Sequence, residues 1–358
     1  MSTSKKKAAA TGGTGIPAKT PPRRTRANLA PSRRPCTPAA DPVEPPLPAA
    51  ASEPVLPSTL ADLVGSGLAA FEDIIVPMPA QDIVVRQMDT LRIMGLKQRD
   101  GQQRRALRYL QPSGAGKSTC AKLLLSHVAA QSGRDPSLKP VLHVTLSTTG
   151  TPKSLASSIL SALGDNYSTR GEAELLLQRV RQGLREFGVE LLIIDELNHF
   201  KQKQLATDAA NTIKNILTLG WVPIVLMGTT DAKPLVKNNR ELKMRSAPQV
   251  VLAPYDYDDD ADLAIWTEFL RRLDARMVKD GILAETSGLA APTLAKDLCQ
   301  ASNGLIGEFH NIVLAALEPV LMAGESHISY GRLEDAIDAW CLQDDTIGHN
   351  PLKLRRRW

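Results

Sequence analysis

The sequence predicts a parallel α/β sheet covered by helices on both faces, followed by a small helical domain. Three observations carry this. Five short runs, at 105–110, 141–146, 190–194, 222–227 and 249–252, alternate with amphipathic helical stretches, the pattern of parallel strands buried on both faces. A glycine-rich loop, Gln111 to Ser118, lies between the first run and the first strong helix, where a phosphate-binding turn has to be. Beyond Pro254 the strand pattern stops and helical periodicity continues alone.

Residues 1–57 hold 12 of the 25 prolines, and positions 1–40 carry nine Lys or Arg and no acid. Such a segment cannot bury enough apolar surface to offset its conformational entropy, so it reads as a disordered basic tail. From Leu60 the pattern changes, with Leu60, Leu63, Val64, Leu68 and Phe71 at helical spacing. A second helical stretch, 83–95, precedes the glycine-rich loop. Helices are then expected at 117–131, 152–163, 172–187 and 204–219, the last two stopping at Gly188 and Gly220. The first strand is unusually polar, because Arg104, Arg105 and Arg108 crowd it. After the sheet, the acidic run 256–262 suits the N-terminus of a helix over 261–277. Further helices follow at 291–302, 305–322 and 331–342. The expected domains are therefore the tail 1–57, an α/β domain with helical lead-in over 58–254, a helical lid over 255–345, and a basic tail over 346–358.

Aromatic residues make up only 4% of the chain while hydrophobic residues reach 43%, which points to an aliphatic core. The four cysteines are widely scattered and lack disulfide or metal spacing, so a reducing, cytoplasmic setting is expected. No apolar run approaches the roughly 20 residues of a membrane span. The last six residues carry four more basic side chains, so the positive charge lies in the tails and the body is net acidic. Basic tails can find phosphate backbones through counterion release, or simply remain solvated.

The loop reads Gln111-Pro112-Ser113-Gly114-Ala115-Gly116-Lys117-Ser118, with Gln111 in place of the pattern's first glycine. Backbone N–H groups from Ser113 to Thr119 would converge on phosphate, with Gly114 and Gly116 free of Cβ clashes. Lys117 would reach the β- and γ-phosphates, and Ser118 would bind Mg²⁺. Four apolar residues, Leu191 to Ile194, end in Asp195 and Glu196, at the edge of the sheet where ligands bind. Asp195 would hold Mg²⁺, and Glu196 would activate the attacking water. The same pair read alone would be a solvated acidic turn. The fourth strand ends in Thr229 and Thr230, of which Thr229 is the first choice for a γ-phosphate sensor. Arg245, with Arg240 second, could reach a neighbouring subunit's γ-phosphate and stabilise transition-state charge.

Together these motifs resemble an AAA+ ATPase, and more narrowly the TniB/TnsC family of transposition ATPases. The narrower resemblance rests on Ile193 to His199, the turn Gly228 to Ala232, Arg245 before a Pro-containing strand, and the small-residue turn Ser302 to Glu308. It covers roughly residues 75–342. It implies a P-loop AAA+ domain with a parallel five-stranded sheet and a C-terminal lid, using ATP and Mg²⁺. It further implies a homo-oligomeric ring or filament on double-stranded DNA. Such a protein recruits a DDE transposase, often with a TniQ-type targeting partner. The lid has no arginine between Gly304 and Glu308, which suits slow, regulatory hydrolysis. DNA contact is expected, largely independent of sequence, from Thr149, Thr151 and Lys153, or from Lys201 and Lys203.

Two other readings remain. A helicase loader or replication initiator would share the fold, and an initiator would usually add a base-reading helix-turn-helix, not evident after Leu342. A small-molecule kinase would need neither an arginine acting in trans nor basic tails. Activity that requires a small acceptor would favour the kinase, and stimulation by duplex DNA would favour the transposition ATPase.

Overall fold

Side chains alternate across a strand, and here that alternation divides the apolar residues of each run between two helix-covered faces. The computed structural model describes residues 58–354 apart from 132, 134, 148–150, 200–202 and 344–345, with backbone alone at 58, 203–206 and 354. Four strands form one parallel sheet: β1 Ala106–Leu110, β2 Val141–Thr145, β3 Leu191–Asp195 and β4 Ile224–Gly228, in the order β1-β4-β3-β2. Register pairs Leu110 with Gly228 and Thr145 with Asp195, so all four strands end along one edge.

One face of the sheet presents Leu142, Val144, Leu192, Ile194, Ile224 and Leu226. These pack with helices α4 (Pro152–Leu163), α5 (Ala173–Glu186) and α6 (Lys203–Thr218). The other presents Leu107, Tyr109, Leu191, Ile193, Val225 and Met227, covered by α2 (Pro79–Lys97) and α3 (Lys117–Ala129). Each fully buried Leu or Ile contributes about 1.5–3 kcal/mol against exposure. At the start of β3, Glu190 accepts a hydrogen bond from Arg92 of α2, pinning that helix to the sheet.

The predicted fifth strand is a correction. Residues 249–252 form no regular strand; the segment after Arg245 runs irregularly beside β1. Ala247 N–H reaches Ala106 O and Val250 N–H reaches Arg108 O, at 2.7 and 3.2 Å. Between them Pro248 has no N–H to donate, which breaks the ladder. Side chains take over: Arg108 donates to Ala247 O, and Gln249 donates to Leu110 O. Two of the three arginines that crowd β1 thus donate to carbonyls, Arg108 to Ala247 O and Arg104 to Gly220 O, while Arg105 is exposed.

Two short helices, α7 (Lys233–Lys237) and α8 (Arg240–Arg245), follow β4. The lid comprises α9 (Asp260–Lys279), α10 (Pro292–Ala301), α11 (Ile306–Ala323) and α12 (Tyr330–Ile337). The acidic run caps α9 as expected, Asp259 accepting from Asp262 N–H at 2.9 Å. Helix α11 is apolar and long enough by composition to cross a membrane; here Phe309, Ile312, Val313, Ala316, Leu317 and Val320 fill the lid core. Helix α1 (Ser58–Glu72) packs on α11, and Phe71 joins that core. At the other end, Asn350 and Leu352 are buried against the lid, although the sequence alone places them in a basic tail. They flank the start of a last short helix, α13 (Pro351–Leu354).

Candidate nucleotide site

Gly114 and Gly116 adopt φ of +75° and +79°, the left-handed conformation that favours glycine. Gly116 caps α3, so the loop delivers its N–H groups to the positive end of a helix. The first residue is fastened sideways. Gln111 N–H donates to Gly228 O at 3.1 Å, and its side chain donates to Val250 O at 2.5 Å. Lys117 is buried, and its Nζ donates to Gln111 O and Pro112 O at 3.2 and 2.7 Å. Burial lowers the Lys117 pKa, opposed by the charges of Asp195 and Glu196.

Asp195 ends β3 within reach of the loop. Its Oδ2 lies 3.5 Å from Ser118 Oγ and 3.2 Å from His143 Nε2, and its Oδ1 accepts from Glu196 N–H. Burial raises the Asp195 pKa, but the hydrogen bonds from His143 and Glu196 and the nearby positive charges outweigh it, so the carboxyl stays below its usual range. A hydroxyl beside an ionised carboxylate is the hard oxygen pair that Mg²⁺ prefers. Glu196 follows with φ of +60°, one of two described non-glycine residues in that region. Its side chain, 38% exposed, faces the cavity.

A cavity of about 400 Å³ joins these groups. The loop contributes Ser113, Gly114, Gly116, Lys117, Ser118 and Thr119, and the sheet edge contributes Glu196. Ala115 is buried behind the loop. The opposite wall comes from the α1–α2 connection (Ile74, Ile75, Val76), from Gln81, and from the lid (Phe269, Leu273, Ile306 to Asn311). At the seam Gly307 N–H donates to Gly114 O at 2.9 Å, and a Cβ on Gly307 would sit 2.5 Å from Gly114 Cα. Among the described residues no arginine of the lid lines the cavity.

The other expected residues are placed unequally. Thr229 sits at the end of β4 with a buried Oγ1 that has no hydrogen-bond partner among the described residues, whereas Thr230 is exposed. Neither Arg240 nor Arg245 lines the subunit's own cavity. Arg245 is half-buried and donates to Glu241 O within its own helix, while Arg240 is exposed. Thr151 caps α4, accepting from Ser154 N–H at 3.0 Å, and lines a hydroxyl-rich groove with exposed Lys153. Thr149, Lys201 and the side chain of Lys203 lie outside the described residues. Sequence reasoning pointed to the lid turn ending at Glu308 but missed His143, Gln81, the rest of the lid wall (Phe269, Leu273 and Phe309 to Asn311) and the 74–76 connection. Only the last left a signal, an apolar Ile74-Ile75-Val76 run between helices with no strand to fill.

The fold and this cavity define an AAA+ protein, built as a parallel sheet with a nucleotide loop and a helical lid. Residues 79–255 match the model of the family described as bacterial TniB protein, and the chain belongs to that family. Solved structures share the fold at low identity. The Aeropyrum pernix ORC1 protein in complex with DNA aligns with a TM-score of 0.55 and 16% identity, over 75% of this chain and 68% of that one. Cdc6p from Pyrobaculum aerophilum aligns with 0.54 and 13%, over 76% and 70%. The Aeropyrum pernix ORC2 protein in its ADPNP-ADP complexes gives 0.54 and 13%, over 75% and 71%. Among curated proteins no sequence match is found.

Proposed function

We propose that this chain is a cytoplasmic, DNA-dependent ATPase that regulates transposition. The observation that carries the reading is the convergence of Lys117, Ser118 and Glu196 on one cavity whose far wall is the lid, with Asp195 buried 3.5 Å behind Ser118 Oγ. ATP would lie with its phosphates on the N–H groups of Ser113 to Thr119 and its charge met by Lys117. Ser118 and Asp195 would hold Mg²⁺, which neutralises charge on the phosphate oxygens. Glu196 takes a proton from water as the new O–P bond forms. The bond to the bridging oxygen breaks, and ADP leaves with that electron pair. Thr229 senses the γ-phosphate, and Arg245, or Arg240 beside it, completes the site of an adjacent subunit.

Membership of the TniB family supports the wider assignment. On that reading subunits assemble as a ring or filament on double-stranded DNA. The contacts fall to the Thr149–Lys153 region and to Lys201 and Lys203, and the assembly recruits a DDE transposase with a TniQ-type partner. The missing lid arginine fits slow hydrolysis that times assembly. The test is Glu196→Gln in the full chain with ATP, Mg²⁺ and duplex DNA. Hydrolysis should be lost while ATP-dependent filaments on DNA persist; normal hydrolysis would sink the mechanism.

A further inference from the structure

Glu196 is well placed to take a proton only if its carboxylate is held, because a half-exposed glutamate otherwise samples several rotamers. What holds it is not in the phosphate loop. The chain after Glu196 enters a short 3₁₀ turn, Leu197–His199. Asn198 within that turn donates from Nδ2 to Glu196 Oε2 at 2.9 Å. Its Oδ1 accepts from Thr229 N–H at 3.3 Å. The amide orientation is fixed, since a backbone N–H can only donate, so Oδ1 must face Thr229 and Nδ2 must face Glu196.

The neighbours do not duplicate this. His199 Nε2 stands 3.9 Å from Glu196 Oε2, but its Nδ1 lies 2.9 Å from Leu146 O. A carbonyl only accepts, so the neutral ring carries its proton on Nδ1 and offers Glu196 no donor. The approach of the turn to β4 depends on Gly228. A Cβ there would lie 3.1 Å from Leu197 N and 3.3 Å from Asn198 Oδ1. Because Gly228 O also receives Gln111 N–H, one continuous set of bonds runs from loop to β4 to Asn198 to Glu196.

We infer that Asn198 is the positioning residue for Glu196, aiming its carboxylate at the phosphate cavity and fixing it to the end of the sensor strand. This rests on the hydrolytic reading of Glu196. The experiment measures kcat, KM, ATP affinity and Tm for Asn198→Ala, Asn198→Asp, Glu196→Gln and the Asn198→Ala/Glu196→Gln double variant. Each is the full chain with Mg²⁺ and duplex DNA. The Asn198→Asp change keeps an acceptor for Thr229 N–H but removes the donor to Glu196, so it separates positioning from a purely structural tie. Both single Asn198 variants should lose at least tenfold in kcat with KM, affinity and Tm near wild type. The double variant should be no slower than Glu196→Gln. Wild-type kcat in Asn198→Asp, or a loss in Tm or affinity instead of kcat, overturns the inference. Normal hydrolysis by Glu196→Gln instead overturns the assignment of the base itself.

Discussion

The sheet and the lid bury their cores by different means. The strands β3 and β4 are buried along their whole length by aliphatic side chains from two helical layers. The lid is a small bundle organised around rings: Trp266 packs on Tyr255, Phe269 and Phe309 at centroid distances of 5.4 to 5.8 Å. Every charged group of the proposed chemistry stands on the sheet side, while the lid supplies mostly apolar wall. The two meet through backbone, where Gly307 N–H donates to Gly114 O. The lesson is a division of labour. The sheet edge holds reactive groups in a hydrogen-bonded frame, and the lid closes over them through contacts that need small residues.

The largest expected effect tests whether the chemistry belongs to the sheet alone. Lys117→Ala should abolish ATP binding, read by a fluorescent nucleotide, while thermal unfolding is unchanged. Next, the two cores can be broken separately. Ile193→Ala should cost about 2–5 kcal/mol and Phe309→Ala about 3–5 kcal/mol, measured by urea unfolding. The Trp266 fluorescence transition should shift more in the second. Gly307→Val attacks the seam itself. The clash with Gly114 should cost about 1–3 kcal/mol, read as weaker ATP binding with an unaltered helical spectrum. The smallest effect is expected at Thr151→Ala, which removes a helix cap for about 1 kcal/mol. Any loss of DNA affinity beyond that of an equally destabilised variant would report a direct contact.

Much of the sheet is legible in the sequence because its signals are local. The runs ending at Leu110, Ile194 and Met227 announce strands by composition, and the loop after the first announces phosphate by its glycines. Helix 152–163 has the same bounds in sequence and structure, since Thr151, Pro152 and Gly164 mark both ends. The edge segment misleads because Val250, Val251 and Leu252 look like a strand while Pro248, just before them, removes a ladder bond. Most of the far wall of the cavity is not legible, beyond the 74–76 run and the small-residue turn ending at Glu308. Gln81, Phe269 and His310 meet the loop only through packing between elements far apart in sequence. The couplings of His143 and Asn198 to the two acids depend on strand register and on a 3₁₀ turn, neither of which composition reveals.

Gln111 carries a consequence for how such chains are found. A search for the ideal loop would score Gln111→Gly as an improvement. In this fold that change would delete the side-chain hydrogen bond to Val250 O, and a hydrogen bond of this kind contributes about 0.5–1.5 kcal/mol. The residue that departs from the pattern stitches the loop to the irregular edge where Pro248 left the ladder open. Motif fidelity and structural fitness therefore point in opposite directions at this position.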